Sequence, residues 1–284
     1  MSDAVDPALV VVRFFTYGLA ILLFGSATFR LYILPRGDRG AGLRVVAPAA
    51  LAVSTLAYAV LLAREVADAP GWPPASVLAD LYATTGFGRA LATTCAAAAL
   101  IATAGLFRQD EPRRRLALSG VALVALAFVG HAADGQGPTG AARLAVMVLH
   151  LLAVGAWLGA LPLLAIALRA NGPDALPLLH RFGSLGAVAV VLVLATGVGS
   201  LAFVALATPA ALGPVYVRVL LVKLFLVLGL LMVAAINRFR LTPAIAADAE
   251  QALRALRRSI VLEQALGLGA ILTIAILGQL DPTM

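Results

Sequence analysis

Histidine, methionine and carboxylate side chains occur together around one predicted turn between two helices. His131 and Asp134 lie three residues apart near the end of one apolar run, and Met147 and His150 lie three residues apart in the next. Because residues i and i+3 share a helix face, the two pairs could approach a common point. Imidazole and thioether together suit copper, and thioether favours Cu(I). The pattern indicates a copper site built from His131, His150, Met147 and Asp134.

Each of these side chains also has a purely structural interpretation. A histidine inside a helix can bond a neighbouring backbone carbonyl, and a methionine fills irregular gaps in a core. The chain has only three histidines, and two of them on consecutive helices near one face favour the metal interpretation. The third, His180, lies in a predicted loop, where we expect it to be solvated.

Three further polar side chains lie inside apolar runs, where each is costly unless it has a partner. Lys223 either extends its ammonium to the surface, repels or releases a bound cation, or pairs with a carboxylate on the outer side. Glu263 either pairs with Arg238 or serves as an inner relay for a cation or a proton. Cys95 is either a small packing residue or a central soft ligand for Cu(I). Lys223, Glu263 and Cys95 are therefore candidates for a path across the membrane.

The composition places these residues in a membrane protein. The 284 residues are 62% hydrophobic and 12% charged, with a mean hydropathy of +1.00, whereas soluble domains average about 25% charged. Soluble globular, disordered and fibrous classes are excluded. A single cysteine excludes a disulfide framework or a thiolate cluster. The net charge of +7 comes from basic residues at the ends of apolar runs, which is typical of membrane topology and not of a nucleic-acid-binding patch.

Eight apolar segments are long enough to cross a bilayer, which takes roughly 20 residues. We therefore predict an all-α polytopic membrane protein with one transmembrane domain over residues 1–284. The predicted spans cover residues 10–33, 44–63, 87–107, 116–134, 141–168, 183–206, 215–236 and 260–280. The ten-residue spacing from Phe15 to Gly25 recurs from Leu149 to Gly159, which favours two parallel four-helix halves.

The basic residues predict the direction of the chain. With eight spans, fifteen arginines fall on one side and five on the other, with Lys223 left inside a span. Cytoplasmic loops carry the excess of Lys and Arg, so both termini are predicted to face the periplasm. The N-terminal segment lacks the basic region of a cleavable signal peptide, and we expect the first span to remain in the mature protein.

Several ordered motifs resemble the copper resistance protein D family (CopD/PcoD). Gly130-His131-Ala132 is followed by Leu149-His150-Leu151-Leu152 and Ala156-Trp157-Leu158-Gly159. The resemblance covers residues 130–280 well and continues through Arg181-Phe182, Tyr216 to Lys223, Asn237 to Pro243, and Arg258-Ser259 with Glu263. Proteins of this family are similar eight-helix bacterial inner-membrane proteins of copper homeostasis, and we do not expect this chain to be an enzyme. The resemblance implies copper transport, a periplasmic copper-binding partner of the CopC type, and His131 and His150 as the metal-handling residues.

A second interpretation belongs to another functional class. The helix with His150, Trp157 and Gly159 is also similar to the first helix of membrane-bound protoporphyrinogen oxidases of the HemJ type. Two histidines on neighbouring spans can ligate a haem axially. The different predicted depths of His131 and His150, and the wider motif set, favour copper. No P-loop, dinucleotide fingerprint or HExxH motif is present, so transport driven by the chain's own ATP hydrolysis is not expected.

Overall fold

The computed structural model describes residues 5–34, 42–67, 71–109, 111–129, 137–171, 176–207 and 212–280. All regular structure in these ranges is helical. The helices are α1 (Pro7–Thr28), α2 (Ala47–Ala67), α3 (Ala75–Thr84), α4 (Gly86–Leu106), α5 (Pro112–Ala125), α6 (Gly137–Leu158), α7 (Leu161–Asn171), α8 (Leu176–Ala207), α9 (Pro214–Ile236), α10 (Thr242–Ala244) and α11 (Ala249–Leu277). π-Helical turns extend α1 over Phe29–Ile33, precede α2 over Gly42–Val46 and follow α9 over Asn237–Leu241, and a 3₁₀ turn over Leu126–Phe128 follows α5.

Acidic side chains begin three of the helices. Asp6 accepts a hydrogen bond from the backbone N–H of Ala8, at 2.8 Å, and Asp248 accepts one from Gln251, at 3.0 Å. The carboxylate of Glu111 accepts from two backbone N–H groups at the start of α5, which holds its pKa below the ordinary value. These bonds satisfy donors that a helix cannot pair internally.

Seven helical segments are long and apolar enough to cross a membrane. They are Pro7–Ile33, Gly42–Glu65, Gly86–Leu106, Gly137–Ala170, Leu176–Val204, Pro214–Ala244 and Ala249–Leu277. These correspond to seven of the eight predicted spans. The remaining one, predicted at 116–134, coincides with α5, which has 14 residues and three arginines in its first turn. With its 3₁₀ turn, α5 covers roughly 25 Å, and the end of the predicted span lies outside the described residues.

Several predicted boundaries differ from the observed ones. The predicted fifth span is divided between α6 and α7 at Gly159-Ala160, where Pro162 cannot donate a backbone hydrogen bond to a continuous helix. The predicted last span starts at residue 260, whereas α11 begins at Ala249. The charged residues in its first turns lower the hydropathy on which the predicted boundary rests. The helix α3 lies in a segment predicted as a loop.

The first helix is the centre of the bundle. It packs against α2, α5, α6 and α11, and it crosses α6 with direct backbone contact. A Cβ atom placed on Gly25 would lie 2.2 Å from the carbonyl carbon of Gly159, and one placed on Gly159 would lie 1.9 Å from the carbonyl oxygen of Ile21. Only glycine allows so close a crossing. The two glycines matched by the weak repeat thus form one contact between α1 and α6.

Packing differs between the two parts of the chain. In the first part α1 packs on α2, α2 on α4, and α4 on α5; in the second part α6 packs on α8, and α9 on α11. Over the described residues, α8 and α9 hardly touch. They leave a gap whose floor is formed by α6 and α11. The predicted relation between two parallel halves stays a prediction.

Candidate functional site

Two of the four predicted metal ligands, His131 and Asp134, lie outside the described residues. Their approach to His150 stays a prediction. The described residues resume at Gly137, where α6 begins, and His150 lies on this helix roughly 20 Å further along. The site is therefore described from its α6 and α8 sides.

His150 forms a side-chain hydrogen bond with Thr196 of α8. Its Nδ1 lies 2.9 Å from the Thr196 hydroxyl, and Thr196 is buried. That hydroxyl donates to the backbone carbonyl of Leu192, so it is available as an acceptor for an Nδ1–H group. Such a bond assigns the proton of the neutral imidazole to Nδ1 and leaves the lone pair of Nε2 free, the arrangement commonly seen in metal-binding histidines.

Lys223 of α9 lies close enough to His150 for their charges to interact. It is half-buried, and it belongs to a helix whose remaining surface is largely exposed and apolar. On the α8 side, Gly197 leaves room beside the ring, since a Cβ atom there would meet the His150 Cε1 at 4.0 Å. The imidazole thus lies among α6, α8 and the ammonium of α9.

Met147 and Cys95 have mainly packing environments. Met147 packs on the apolar cluster that contains Leu123, Leu126 and Leu151. Cys95 lies on α4 with its thiol directed at the Ala52 carbonyl oxygen of α2, at 3.7 Å, and α4 has no substantial contact with α8. The structure therefore places Met147 on the same helix as His150 but toward the core, and it does not bring Cys95 to the imidazole.

Glu263 is a buried carboxylate held by neutral donors. Its Oε2 accepts a hydrogen bond from Asn237 Nδ2, at 2.9 Å, and Trp157 lies within hydrogen-bonding reach of the same carboxyl group. The interpretation in which Glu263 pairs with Arg238 is not observed, because that guanidinium donates to the backbone carbonyl of Gly183. No ion pair involves Glu263 in the described part of the chain.

A cavity of about 860 Å³ lies beside this carboxylate, between α8 and α9. Glu263, Asn237 and Trp157 line its buried end, while His180, Arg238 and Phe239 lie at its exposed end. Its other walls are largely apolar. Trp157 is seven residues from His150 on α6, roughly 10 Å along the helix and on a similar face. One face of α6 thus leads from the imidazole to the cavity.

The described residues alone do not complete a metal centre. They contain no group of three His, Cys, Asp or Glu side chains that could hold an ion together. His150 supplies one free imidazole nitrogen, so further ligands must come from other residues or from water.

Thr196 is the residue that the sequence analysis missed. The hydroxyl of a threonine in a membrane helix usually donates to a carbonyl one turn earlier, and the hydroxyl of Thr196 does so here. The residue type alone therefore does not predict a contact with His150. Its position on α8 opposite His150 depends on how α6 and α8 pack, which no local pattern reveals.

Comparison with known proteins connects this arrangement to copper. Residues 1–141 match the model of the family described as "Copper resistance protein D-like, N-terminal domain", and residues 176–277 match "Copper resistance protein D". The chain is 32% identical over 307 aligned positions to "Copper resistance protein D" of Pseudomonas syringae pv. tomato, with 98% of each chain covered. The chain belongs to the copper resistance protein D family. It is also 31% identical over 178 positions, 61% of each chain, to "Inner membrane protein YebZ" of Escherichia coli strain K12. No solved structure matches it.

Membership confirms the family predicted from the motifs around His150, and it extends the resemblance to the first 141 residues. The chain is a multi-pass inner-membrane protein of a family implicated in copper resistance. The relatives give no support for the haem alternative.

Proposed function

We propose that this copper resistance protein D homologue transports copper across the bacterial inner membrane, and that His150 is the central ligand of its outward-facing site. The observation that carries the proposal is the hydrogen bond between His150 and Thr196, at 2.9 Å, which leaves Nε2 free within a largely apolar bundle. A free imidazole nitrogen inside a membrane is costly unless it serves a ligand. Met147, His131 and Asp134 are proposed to complete the site.

The proposed path continues along α6 through the gap between α8 and α9. Lys223 faces the same region as His150, and its positive charge would weaken a bound cation and favour release. The cargo would then pass Trp157 to reach the cavity beside Glu263. Cys95 lies on α4 and has no role in this path.

The proposed topology has eight crossings, with both termini in the periplasm. Two contacts of α5 support the eighth crossing. Near the start of α5, Arg115 donates to the carbonyl of Leu43, just before α2, and beyond its end Leu126 accepts from the hydroxyl of Tyr17, at 3.2 Å. Tyr17 lies ten residues into α1, so α5 runs antiparallel to α1 from one membrane surface toward the other. A periplasmic copper-binding protein of the CopC type is the proposed partner on the outer side.

Copper retention by the purified protein tests the assignment of His150. We expect His150→Ala to abolish retention in detergent and copper flux in proteoliposomes, because water in an apolar bundle cannot readily replace the lost ligand. His131→Ala should weaken both. The matched control is His180→Ala, since His180 is exposed and lies roughly 24 Å from Thr196 along α8. Wild-type copper affinity in folded His150→Ala protein would contradict the proposed site.

A further inference from the structure

Glu263 is a buried carboxyl group that forms no ion pair within the described part of the chain. It is 3% exposed, it lies among helices that cross the membrane, and its partners are the neutral side chains of Asn237 and Trp157. Hydrogen bonds from neutral donors offset only part of the cost of a buried charge. The arrangement therefore favours a positively charged ligand next to the carboxylate.

Asn237 provides a second ligand atom. The residue is 9% exposed, and its Oδ1 is buried with no hydrogen-bond partner among the described residues. The orientation of the amide follows from Glu263, because only Nδ2 can donate to a carboxylate. Asn237 lines the cavity, and it begins the π-helical turn Asn237–Leu241. Irregular helix turns that line cavities are common ion sites in membrane transporters.

The donor atoms define the class of cation. A carboxylate oxygen and an amide oxygen are hard ligands, and neither sulfur nor imidazole lies at this end of the cavity, so copper has little preference for it. One carboxylate balances one positive charge, whereas a divalent ion would leave an uncompensated charge in an apolar bundle. The volume of about 860 Å³ also admits the waters that would complete the coordination shell.

We propose that the cavity between α8 and α9 is a binding site for a monovalent alkali cation, ligated by the Glu263 carboxylate and Asn237 Oδ1. The cation enters from the end with Arg238 and Phe239, which is exposed. Trp157, which reaches Glu263, lies on the same α6 face as His150, so cation occupancy can influence the passage of copper. The binding itself is independent of copper, and its test requires none.

Trp157 provides a direct signal for this site. The chain has two tryptophans, of which Trp72 is 84% exposed and Trp157 is 3% exposed. In a full-length Trp72→Phe protein in detergent, all tryptophan emission comes from the side chain that reaches Glu263. Emission is measured at constant pH and ionic strength while choline is replaced by Na⁺, and in separate series by Li⁺ or K⁺.

We expect a saturable change in Trp157 emission when at least one alkali cation replaces choline. In the Trp72→Phe background, Glu263→Gln should weaken the apparent affinity by roughly tenfold or more, since it removes the charge and keeps the shape. Asn237→Ala should also weaken the apparent affinity for the cation. If the Glu263→Gln protein does not fold, the Asn237→Ala protein provides the test. Glu250→Gln is the matched control, because Glu250 lies on the same helix but is exposed and paired with Arg254.

Two results would overturn the proposal: no change in emission when any alkali cation replaces choline, or the same change in the Glu263→Gln and Asn237→Ala proteins as in the Trp72→Phe protein. If emission changes with pH but not with alkali cations, Glu263 takes a proton instead. Neither result affects the copper site. Loss of copper binding in His150→Ala, with the alkali-cation response intact, would support both sites independently.

Discussion

Thr196 decides which nitrogen of His150 is free to bind metal. Its hydroxyl accepts from Nδ1 because it already donates to the Leu192 carbonyl. Removing such a supporting group typically costs about 10–100-fold in metal affinity. We expect Thr196→Val, which keeps the shape, to weaken copper retention by about this factor, and Thr196→Ser to preserve it. A copper titration of the purified variants measures the effect. Equal affinities for Val and Ser would show that the hydroxyl does not orient the ring.

For single residues, the sequence indicates which polar side chains within the helices are important better than it predicts their contacts. His150, Lys223 and Glu263 are recognisable because polar residues are uncommon in apolar helices. Their contacts depend on neighbouring helices. Of the two interpretations of Glu263, the pair with Arg238 is not observed, because Asn237 donates to the carboxylate and Arg238 donates to the Gly183 carbonyl instead.

At the scale of the helices, the crossing of α1 and α6 brings the helix that carries His150 into backbone contact with the central helix of the bundle. A methyl group on Gly159 would lie 1.9 Å from the Ile21 carbonyl oxygen, so the two helices would have to separate. We expect Gly159→Ala to destabilise the protein by about 1–3 kcal/mol or more, measured by thermal unfolding in detergent. Gly18→Ala is the control, because a Cβ atom there meets nothing within 4 Å; it should be neutral or slightly stabilising. Equal melting temperatures for the two variants would contradict the backbone contact.

The helices themselves follow from local sequence more fully than their irregularities do. Seven of the eight predicted spans are confirmed as candidate spans, because the length needed to cross a bilayer is a property of the segment alone. The break between α6 and α7 lies where Gly159 meets α1, and the π-helical turn begins where Asn237 meets Glu263 of α11. The charged residues in the first turns of α11 made the predicted start of this span too late, since a hydropathy window cannot distinguish a polar helix turn from a loop.

At the scale of the whole molecule, the gap between α8 and α9 lies beside both proposed sites. In the first part of the chain α2 and α4 pack closely, whereas α8 and α9 hardly touch in the ranges described. Trp157, which reaches Glu263, lies roughly 10 Å along α6 from His150, so the two proposed sites lie at different depths along one helix face. An imidazole and a hard carboxylate at different depths would suit a transporter whose cargo and coupling ion differ.

The number of crossings determines on which side of the membrane each exposed segment of the chain lies. Gly71 precedes α4, and Ala247 lies between α10 and α11; both are exposed. If α5 crosses the membrane, an odd number of spans separates them, so they lie on opposite sides; if it does not, they lie on the same side. With Cys95 replaced by serine, we expect Gly71→Cys to react with an impermeant thiol reagent added to intact spheroplasts, and Ala247→Cys to react only after permeabilisation. This pattern also places the arginine-rich side in the cytoplasm, as the charge bias requires. Labelling of both positions from outside would exclude the eighth crossing, whereas labelling of Ala247→Cys alone would reverse the orientation.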